Sequence, residues 1–560
     1  MPPRARSIAL ALVVAAVTLA PPPSLAAEAA APSSAATPDQ GNSNLVMVYS
    51  IQRHGARNVL PKSSVLTESE ATGGPTLLPQ GKEQCRLAGA AFARRYISPA
   101  SCRATRTCLA PPPRAGGEEA EEQPHSSSIY GVVGTPGVSF SNWNTFSNSS
   151  ALDRTIMSAD AFLSGVFGAA SAPVFSVAEP EDYTIRGYTR CPRYQERLER
   201  WLESDEFRAK ERETKAMRAR VGAALPHVAN ASSALASWWN AYDALDVHRR
   251  FGVGDAPTAP IAVDDMQQAV DLANWLETRK MEPALASNLL GGAILADLLA
   301  RVEAAAAAGG SASASIGGAG GYYRLLTTSA HYNTQLGLLS ALQAGASADG
   351  GGDGTTTTMQ QTDYPWRHKI PALAAVLAFE LHRATTDGGE FVVRTVAQDG
   401  PSAAYSVIPL PCAVAGDAAE QVAGPGACTL ERFRALAQPQ ALGSASAWCE
   451  ACGNVKVLAC RAAAMERQLA AVGIDTFDLV SVGSSSSSSA RSYSSPAMVA
   501  LWCAVSVAAA AALAVVGFFG VRSWRRRRGQ GQGGAAAPGS SKSPTAADAL
   551  EQGLSSSNAF

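Results

Sequence analysis

Residues 53–57 read Arg-His-Gly-Ala-Arg and place one imidazole between two guanidinium groups. Guanidinium groups match phosphate oxygens in bidentate geometry, and a neutral imidazole nitrogen is a competent nucleophile. Gly55 removes a side chain where the backbone can approach a ligand closely. These residue types predict covalent phosphoryl transfer through a phosphohistidine at His54. A basic strand end that is merely solvated is the alternative.

The segment before this motif must position it. Residues 45–51 form a short apolar run, bounded by polar segments, which predicts a buried β-strand. Ligands of open α/β sheets bind beyond the carboxyl ends of the strands. The motif is therefore expected at the edge of the sheet where a small anion can be held.

The motif resembles the hallmark of the histidine acid phosphatase family, Arg-His-Gly-x-Arg. The resemblance extends to Leu60 and Pro61 and to residues 78–84, which in the family open the helix after the catalytic loop. Further matches keep the family's order over most of residues 44–450. The resemblance implies an α/β core sheet flanked by helices, formed by residues 44–190 and 322–450. It also implies an inserted, mainly α-helical cap domain at about 191–300.

Two later segments resemble the family's other phosphate-contacting segments. Arg154 lies in residues 153–159, similar to the third arginine segment, and His331 ends residues 326–331, similar to the segment of the second catalytic histidine. The resemblance implies that Arg53, Arg57, Arg154 and His331 bind the substrate phosphate, and that His331 assists catalysis by His54. It implies no metal and no other cofactor. A solvated Arg154 and a purely structural His331 are the alternatives.

Tyr332 departs from the family pattern, because the residue after the second histidine is usually an aspartic acid that protonates the departing alcohol. General acid catalysis contributes roughly 10²–10⁴-fold, and a phenol with a pKa of about 10 matches acidic pH poorly. Three outcomes are open: Tyr332 donates as a weak acid, Asp363 or Glu380 replaces it, or activity is lost. The leading prediction is an acid phosphatase with altered hydrolysis of phosphate monoesters. The alternative is a weakened or inactive phosphoester-binding ectodomain.

Both ends of the 560-residue chain carry targeting signals. Basic, apolar and small residues follow one another in residues 1–26 and predict a signal peptide, with a flexible leader at 27–43. Residues 497–521 are uncharged and apolar, long enough to cross a bilayer, and a cluster of arginines follows them. Residues 451–496 are interpreted as a stalk and 522–560 as a disordered cytoplasmic tail. The prediction is a type I membrane protein with a lumenal or extracellular catalytic domain, at the cell surface or in a lysosome or vacuole.

Nine of the ten cysteines lie in the exported part, where disulfides are the expected state and one thiol is left over. Cys102 and Cys108 are candidates for a local bridge, and Cys412 with Cys428 resembles a pair of the family. Structural disulfides are favoured over zinc for Cys449 and Cys452.

Two sequons begin at Asn148 and Asn230 and are candidate glycosylation sites. The formal net charge of −1 gives no electrostatic argument for nucleic acid as a partner. The partners predicted are a small phosphate monoester and the membrane. The family resemblance leaves a homodimer open.

Overall fold

The computed structural model of the chain describes residues 43–61, 75–102, 107–109, 140, 145–168, 172–228, 234–310, 322–348, 366–385 and 389–471. The predicted signal peptide, membrane span and cytoplasmic tail lie outside these residues, as do Asp363 and Asn230. Within the described part of the chain, no helix is both long and apolar enough to cross a membrane.

The described strands form one mixed sheet. Their order is β3-β2-β4-β1-β5-β6-β7, and β8 pairs with β6. The four strands from β3 to β1 run parallel, and β5 to β8 continue the sheet in antiparallel pairs. The bounds are β1 (Ser43–Arg53), β2 (Thr145–Ser150), β3 (Phe175–Val177), β4 (Leu325–Ala330), β5 (Val376–Ala384), β6 (Phe391–Gln398), β7 (Tyr405–Val407) and β8 (Cys428–Thr429).

Helices separate most of the parallel strands, so the predicted α/β class is confirmed. The bounds are α1 (Pro79–Tyr96), α2 (Pro99–Cys102), α3 (Asp153–Phe167), α4 (Pro192–Leu202), α5 (Asp205–Ala223), α6 (Trp238–Phe251), α7 (Val263–Lys280), α8 (Gly292–Ala307), α9 (Tyr332–Ala348), α10 (Ala418–Ala423), α11 (Leu430–Ala437), α12 (Ala445–Cys452) and α13 (Leu458–Ala471).

The central strand β1 agrees with the predicted buried strand. Its residues from Leu45 to Arg53 are all buried, because β4 and β5 flank the strand within the sheet. The helix predicted after the catalytic loop is α1, which begins with a proline, a residue that suits the first turn of a helix. The consecutive strands β5 and β6 pair in antiparallel orientation beside β1.

Between β3 and β4 the chain is mainly helical and contains α4 to α8. This is the range predicted as the cap. Three of its tryptophans, Trp201, Trp238 and Trp239, are buried, and Trp275 is partly buried against the same hydrophobic cluster. The helices therefore pack through their aromatic residues.

Four disulfides connect the described cysteines, and Cys85 is a buried free thiol. This pattern is typical of proteins that fold in an oxidising compartment. The two pairs anticipated from the sequence are present, and Cys449 and Cys452 bridge to other cysteines. The bridges are Cys102–Cys108, Cys191–Cys452, Cys412–Cys428 and Cys449–Cys460.

The predicted start of a stalk at residue 451 needs correction. Cys452 is bonded to Cys191, and Cys460 in α13 is bonded to Cys449. Val457 and Cys460 are buried with the hydrophobic cluster that contains the helical part. The folded region therefore continues to at least Ala471.

Candidate active site

His54 and His331 follow the ends of two adjacent parallel strands. Arg53 is the last residue of β1 and pairs with Ala330, the last residue of β4. The next residues continue this pairing, because the amide of His54 donates to the carbonyl of Ala330 over 3.1 Å. The two imidazole rings meet edge to face with their centroids 5.5 Å apart. The sheet register therefore brings together two predicted residues that are 277 positions apart in the sequence.

The His54 ring has a defined tautomer. Its Nδ1 lies 2.8 Å from the carbonyl oxygen of Gly55, an atom that can only accept a hydrogen bond, so Nδ1 carries a proton. Burial lowers the pKa of His54 well below its usual value of 6.5, and the charges of Arg154, Arg53 and Arg57 lower it further. The imidazole is neutral at neutral and mildly acidic pH, and its Nε2 carries the lone pair that a nucleophile needs.

Three buried arginines surround this ring. Arg53, Arg57 and Arg154 are at most 7% exposed, and each acts electrostatically on His54. Arg53 donates to the carbonyl of Pro371, and burial together with Arg57 lowers the pKa of Arg53 to about 10. Arg154 lies in the first turn of α3, directly after β2. The three predicted phosphate ligands thus converge on the predicted nucleophile.

Arg57 is held by a carboxylate that the sequence pattern did not suggest. Both terminal nitrogens of its guanidinium donate to Asp243 of α6 at 2.9 Å, and the two side chains are nearly inaccessible. Asp243 also accepts from the amide of Leu60 at 2.7 Å. The catalytic loop is therefore fastened to the helical part of the fold by a bidentate ion pair.

His331 is fixed by the end of the neighbouring strand. Its Nε2 lies 3.0 Å from Oγ of Ser150, the last residue of β2, and Ser150 also contacts Thr155 of α3. The ring of Tyr188 packs edge to face against it, with 6.2 Å between centroids. His331 is thus oriented beside His54 by buried neighbours, in a position that can hold a phosphate oxygen.

Tyr332, the residue in the place of the expected acid, is buried and begins α9. Its ring stacks on Trp239 with centroids 5.5 Å apart, and the guanidinium of Arg53 lies 5.0 Å from its centroid. Its hydroxyl donates to the carboxylate of Glu277 in α7. Burial and the charge of Glu277 raise the pKa of Tyr332 well above 10. On its own, this phenol is a poor proton donor.

Glu380, one of the two substitute acids considered from the sequence, is excluded by its position. It pairs with Val48, five residues before Arg53 along β1, which is roughly 17 Å away at about 3.4 Å per residue. Its buried carboxylate accepts from Tyr96 and Arg95, and Arg95 holds its pKa well below the usual range despite burial. The other substitute, Asp363, lies outside the described residues.

Gly55 allows the motif to lie against the start of α1. A Cβ atom at Gly55 would be 2.1 Å from the carbonyl oxygen of Gly81, and one at Gly81 would be 2.1 Å from the carbonyl oxygen of Ala56. The amide of Gly55 donates to Ser158 of α3 over 3.1 Å. The glycine predicted to permit a close approach does so toward the protein's own backbone.

A cavity of about 220 Å³ opens beside the site. Its wall contains Arg53, Arg57 and Asp243 together with residues of α6, α7 and the loop before β5. Arg250 and Lys369 add two further positive charges and are paired with Asp246 and Asp399. A larger cavity of about 510 Å³ lies at the ends of β2 and β3, and none of the predicted phosphate ligands lines it.

Asn148, one of the two glycosylation candidates, lines that larger cavity from within β2. The strand is paired on both sides, with β3 and β4, and the Asn148 amide oxygen accepts from Thr328 over 2.6 Å. Because the two other sequon residues are buried, this position disfavours glycan attachment and corrects the prediction. In the described residues, no group of three or more His, Cys, Asp or Glu side chains could hold a metal ion.

Ser150, Asp243 and Glu277 are site residues that sequence reasoning missed. A signal for Glu277 is present in the sequence of α7, where Ala269, Ala273 and Leu276 form a buried stripe that also contains Glu277 and Lys280. Charged residues on a buried helical stripe are rare unless they are paired or functional. The same pattern places Asp243 among buried residues of α6.

No family model matches the chain, and no curated protein sequence matches it. Among solved structures it is similar to a phytase from Citrobacter braakii, with 14% identity and a TM-score of 0.44 over 71% of this chain and 98% of that one. A Hafnia alvei phytase bound to myo-inositol hexakis sulphate has 12% identity and a TM-score of 0.45 over 71% and 98%.

A multiple inositol polyphosphate phosphatase from Bifidobacterium longum, solved with phosphate, has 12% identity and a TM-score of 0.38 over 71% and 93%.

Proposed function

We propose that this chain is a histidine acid phosphatase that hydrolyses phosphate monoesters through a phosphohistidine at His54. The observation that carries the proposal is the state of that ring: buried, neutral, with a proton fixed on Nδ1, among three buried arginines. A merely structural histidine has no need of three guanidinium groups. A nucleophile that attacks a phosphate dianion needs a neutral ring with a free lone pair and cationic groups that bind the phosphate oxygens.

In the proposed reaction, Nε2 of His54 forms a bond to phosphorus while the bond from phosphorus to the ester oxygen breaks. Arg53, Arg57, Arg154 and His331 stabilise the charge on the equatorial oxygens of the loose transition state. The departing oxygen leaves with the electron pair and takes up a proton. Water then attacks the phosphohistidine, which releases inorganic phosphate and the free imidazole.

The cavity and the disulfides support two further parts of the proposal. A cavity of about 220 Å³ beside Arg53 and Arg57 suits a small phosphate ester or the terminal phosphate of a larger one. Four disulfides suit export to an oxidising compartment. Anchoring by residues 497–521, with a lumenal or extracellular catalytic domain, stays the prediction made from the sequence.

A non-catalytic phosphoester-binding ectodomain is the second candidate. Two observations favour it: the raised pKa of Tyr332, and the bidentate pairing of Arg57 with Asp243. Such a protein would bind phosphate without turnover.

Trapping the phosphoenzyme tests the choice between the two candidates. The full chain, made in a host that forms disulfides, would be mixed with ³²P-labelled p-nitrophenyl phosphate at pH 5 and quenched in alkali, where phosphohistidine survives. We expect label on wild type and on His227→Ala, a change at an exposed histidine, and none on His54→Ala. Equal turnover by wild type and His54→Ala would refute the phosphohistidine mechanism, and phosphate binding without turnover by wild type would favour the second candidate.

A further inference from the structure

We propose that Glu277 supplies the proton that the departing alcohol needs, and that Tyr332 relays it. This inference rests on the proposed phosphatase function and names the group that replaces the family's aspartic acid. Tyr332 touches the leaving oxygen, and Glu277 acts through Tyr332.

The carboxylate of Glu277 is shared between two donors. Oε2 accepts from the hydroxyl of Tyr332, and Oε1 accepts from Nζ of Lys280 at 2.8 Å. Glu277 is completely buried, Lys280 is 1% exposed and Tyr332 is 3% exposed. A buried ion pair contributes little net stability, since desolvation offsets the attraction between its charges. Glu277 is hydrogen-bonded to Tyr332, the residue that follows His331, and this position points to a role in the reaction.

Glu277 lies on the face of α7 that points toward the cavity beside the arginines. Val270 and Asn274 line that cavity, and Glu277 follows them at the i+7 and i+3 positions, which share one face of a helix. Trp239 and Arg53 line the cavity, and both contact the ring of Tyr332, whose hydroxyl is bonded to Glu277.

Tyr332 cannot fill the role while Glu277 is ionised. Giving up its proton would leave a buried phenolate beside a buried carboxylate, and burial together with Glu277 raises the pKa of Tyr332 well above 10. With Glu277 protonated, the repulsion disappears. The carboxyl group then donates to the phenol oxygen, and the phenol O–H turns toward the leaving oxygen.

The proton transfer balances over one catalytic cycle. As the bond from phosphorus to oxygen breaks, the leaving oxygen takes the proton of Tyr332, and Tyr332 takes the proton of Glu277. The alcohol departs neutral, and Glu277 is left as a carboxylate beside Lys280. In the second half of the cycle the attacking water loses a proton along the same path, which restores protonated Glu277.

The charges around Glu277 set the pH range in which the relay operates. Lys280 is paired with the carboxylate, Tyr194 of α4 and Tyr332 interact with it as phenols, and Arg53 and Tyr188 act on Tyr332. Lys280→Met removes the buried cation that stabilises the carboxylate form of Glu277. We therefore expect alkyl phosphate hydrolysis by this variant to extend to higher pH than in wild type.

The test compares two leaving groups in the full-length protein. Glu277→Gln keeps the size of the side chain, and its one amide oxygen can still accept from Lys280 while its NH2 group donates to the phenol oxygen of Tyr332, but it cannot supply the proton. We expect its kcat on an alkyl phosphate to fall by about 10²-fold or more, the size of a general acid effect. Its kcat on p-nitrophenyl phosphate should change by less than about threefold, because this leaving group needs little protonation. Tyr332→Phe should show the same selective loss.

Glu380→Gln is a matched control. Glu380 is also completely buried and accepts from a tyrosine and a cation, Tyr96 and Arg95, but it lies in β5 opposite Val48, far from the site. The control variant should lower stability without changing the ratio of the two rates. Adding Tyr332→Asp to Glu277→Gln supplies an acid directly and should recover alkyl phosphate hydrolysis, and the retained p-nitrophenyl phosphate rate of Glu277→Gln itself shows that the single variant is folded.

Each outcome decides the relay. A selective loss on the alkyl phosphate in Glu277→Gln supports it. Wild-type rates on both substrates, or an equal loss on both, would overturn it while leaving the phosphatase function standing. No turnover of either substrate by wild type would instead overturn the proposed function, and the relay with it.

Discussion

Replacing His54 should make the protein less sensitive to acid. The folded structure keeps this imidazole neutral, because burial and three arginines lower its pKa well below 6.5. In the unfolded chain the same ring takes up a proton near pH 6.5. As pH falls below that value the unfolded state binds a proton that the folded state does not bind. The stability contributed by neutral His54 is therefore fully present at high pH and is lost as pH falls.

The magnitude follows from proton linkage. One proton bound only by the unfolded state lowers the free energy of unfolding by about 1.4 kcal/mol per pH unit. From pH 7.5 to pH 4.5, with an unfolded-state pKa of about 6.5, the loss from His54 alone is at most about 2.7 kcal/mol, the value for a folded ring that binds no proton over this range. Other titrating groups contribute equally to wild type and to His54→Gln. The difference between the two proteins therefore isolates this residue.

Urea unfolding of wild type and His54→Gln, at half-unit steps of pH in phosphate-free buffers, would measure that difference. His227→Gln, at an exposed position, controls for the loss of one imidazole from the chain. We expect the stability of wild type relative to His54→Gln to fall over this range, by up to about 2.7 kcal/mol. A difference that stays constant would mean that folded His54 binds protons as readily as the unfolded chain, and the case for a neutral nucleophile would fail.

Two further changes test how the motif is held. Asp243→Asn should lower the free energy of unfolding by about 3–5 kcal/mol, because it removes the buried counter-charge of Arg57. Inorganic phosphate should then raise the melting temperature of the variant more than that of wild type. Equal stability of the two proteins would contradict the pairing. Gly55→Ala should abolish activity and lower the free energy of unfolding by about 1–3 kcal/mol, because its Cβ would lie 2.1 Å from the Gly81 carbonyl oxygen. Gly443→Ala, where a Cβ meets nothing within 4 Å, should change neither activity nor the free energy of unfolding in urea.

The sequence predicted those parts of the fold that depend on local pattern. The apolar run of β1 lies where the pattern placed it, and α1 begins within residues 78–84, where the family resemblance placed a helix. Arg53, His54 and Arg57 could be found because they occupy one short motif. His331 could be found because residues 326–331 resemble the segment that carries the family's second catalytic histidine.

The partners of these residues could not be found in the same way. Asp243 meets Arg57 across 186 positions of sequence, and Glu277 meets Tyr332 across 55. Both carboxylates belong to helices of the predicted cap, whose orientation toward the sheet is decided by packing and not by any local pattern. Glu380 shows the converse error: it was considered as a substitute acid, but it lies opposite Val48, five residues before Arg53 along β1, and is paired with Arg95.

The charges of the site argue that substrate binding itself prepares the relay. Four buried cations, Arg53, Arg57, Arg154 and Lys280, are opposed by the two carboxylates Asp243 and Glu277, which leaves a net charge of +2. A phosphate dianion cancels this excess. A nearby negative charge favours the protonated form of a carboxyl group, so the bound dianion opposes the influence of Lys280 on Glu277. Protonated Glu277 is then favoured when a phosphate ester occupies the site, which is when a leaving group is there to receive its proton.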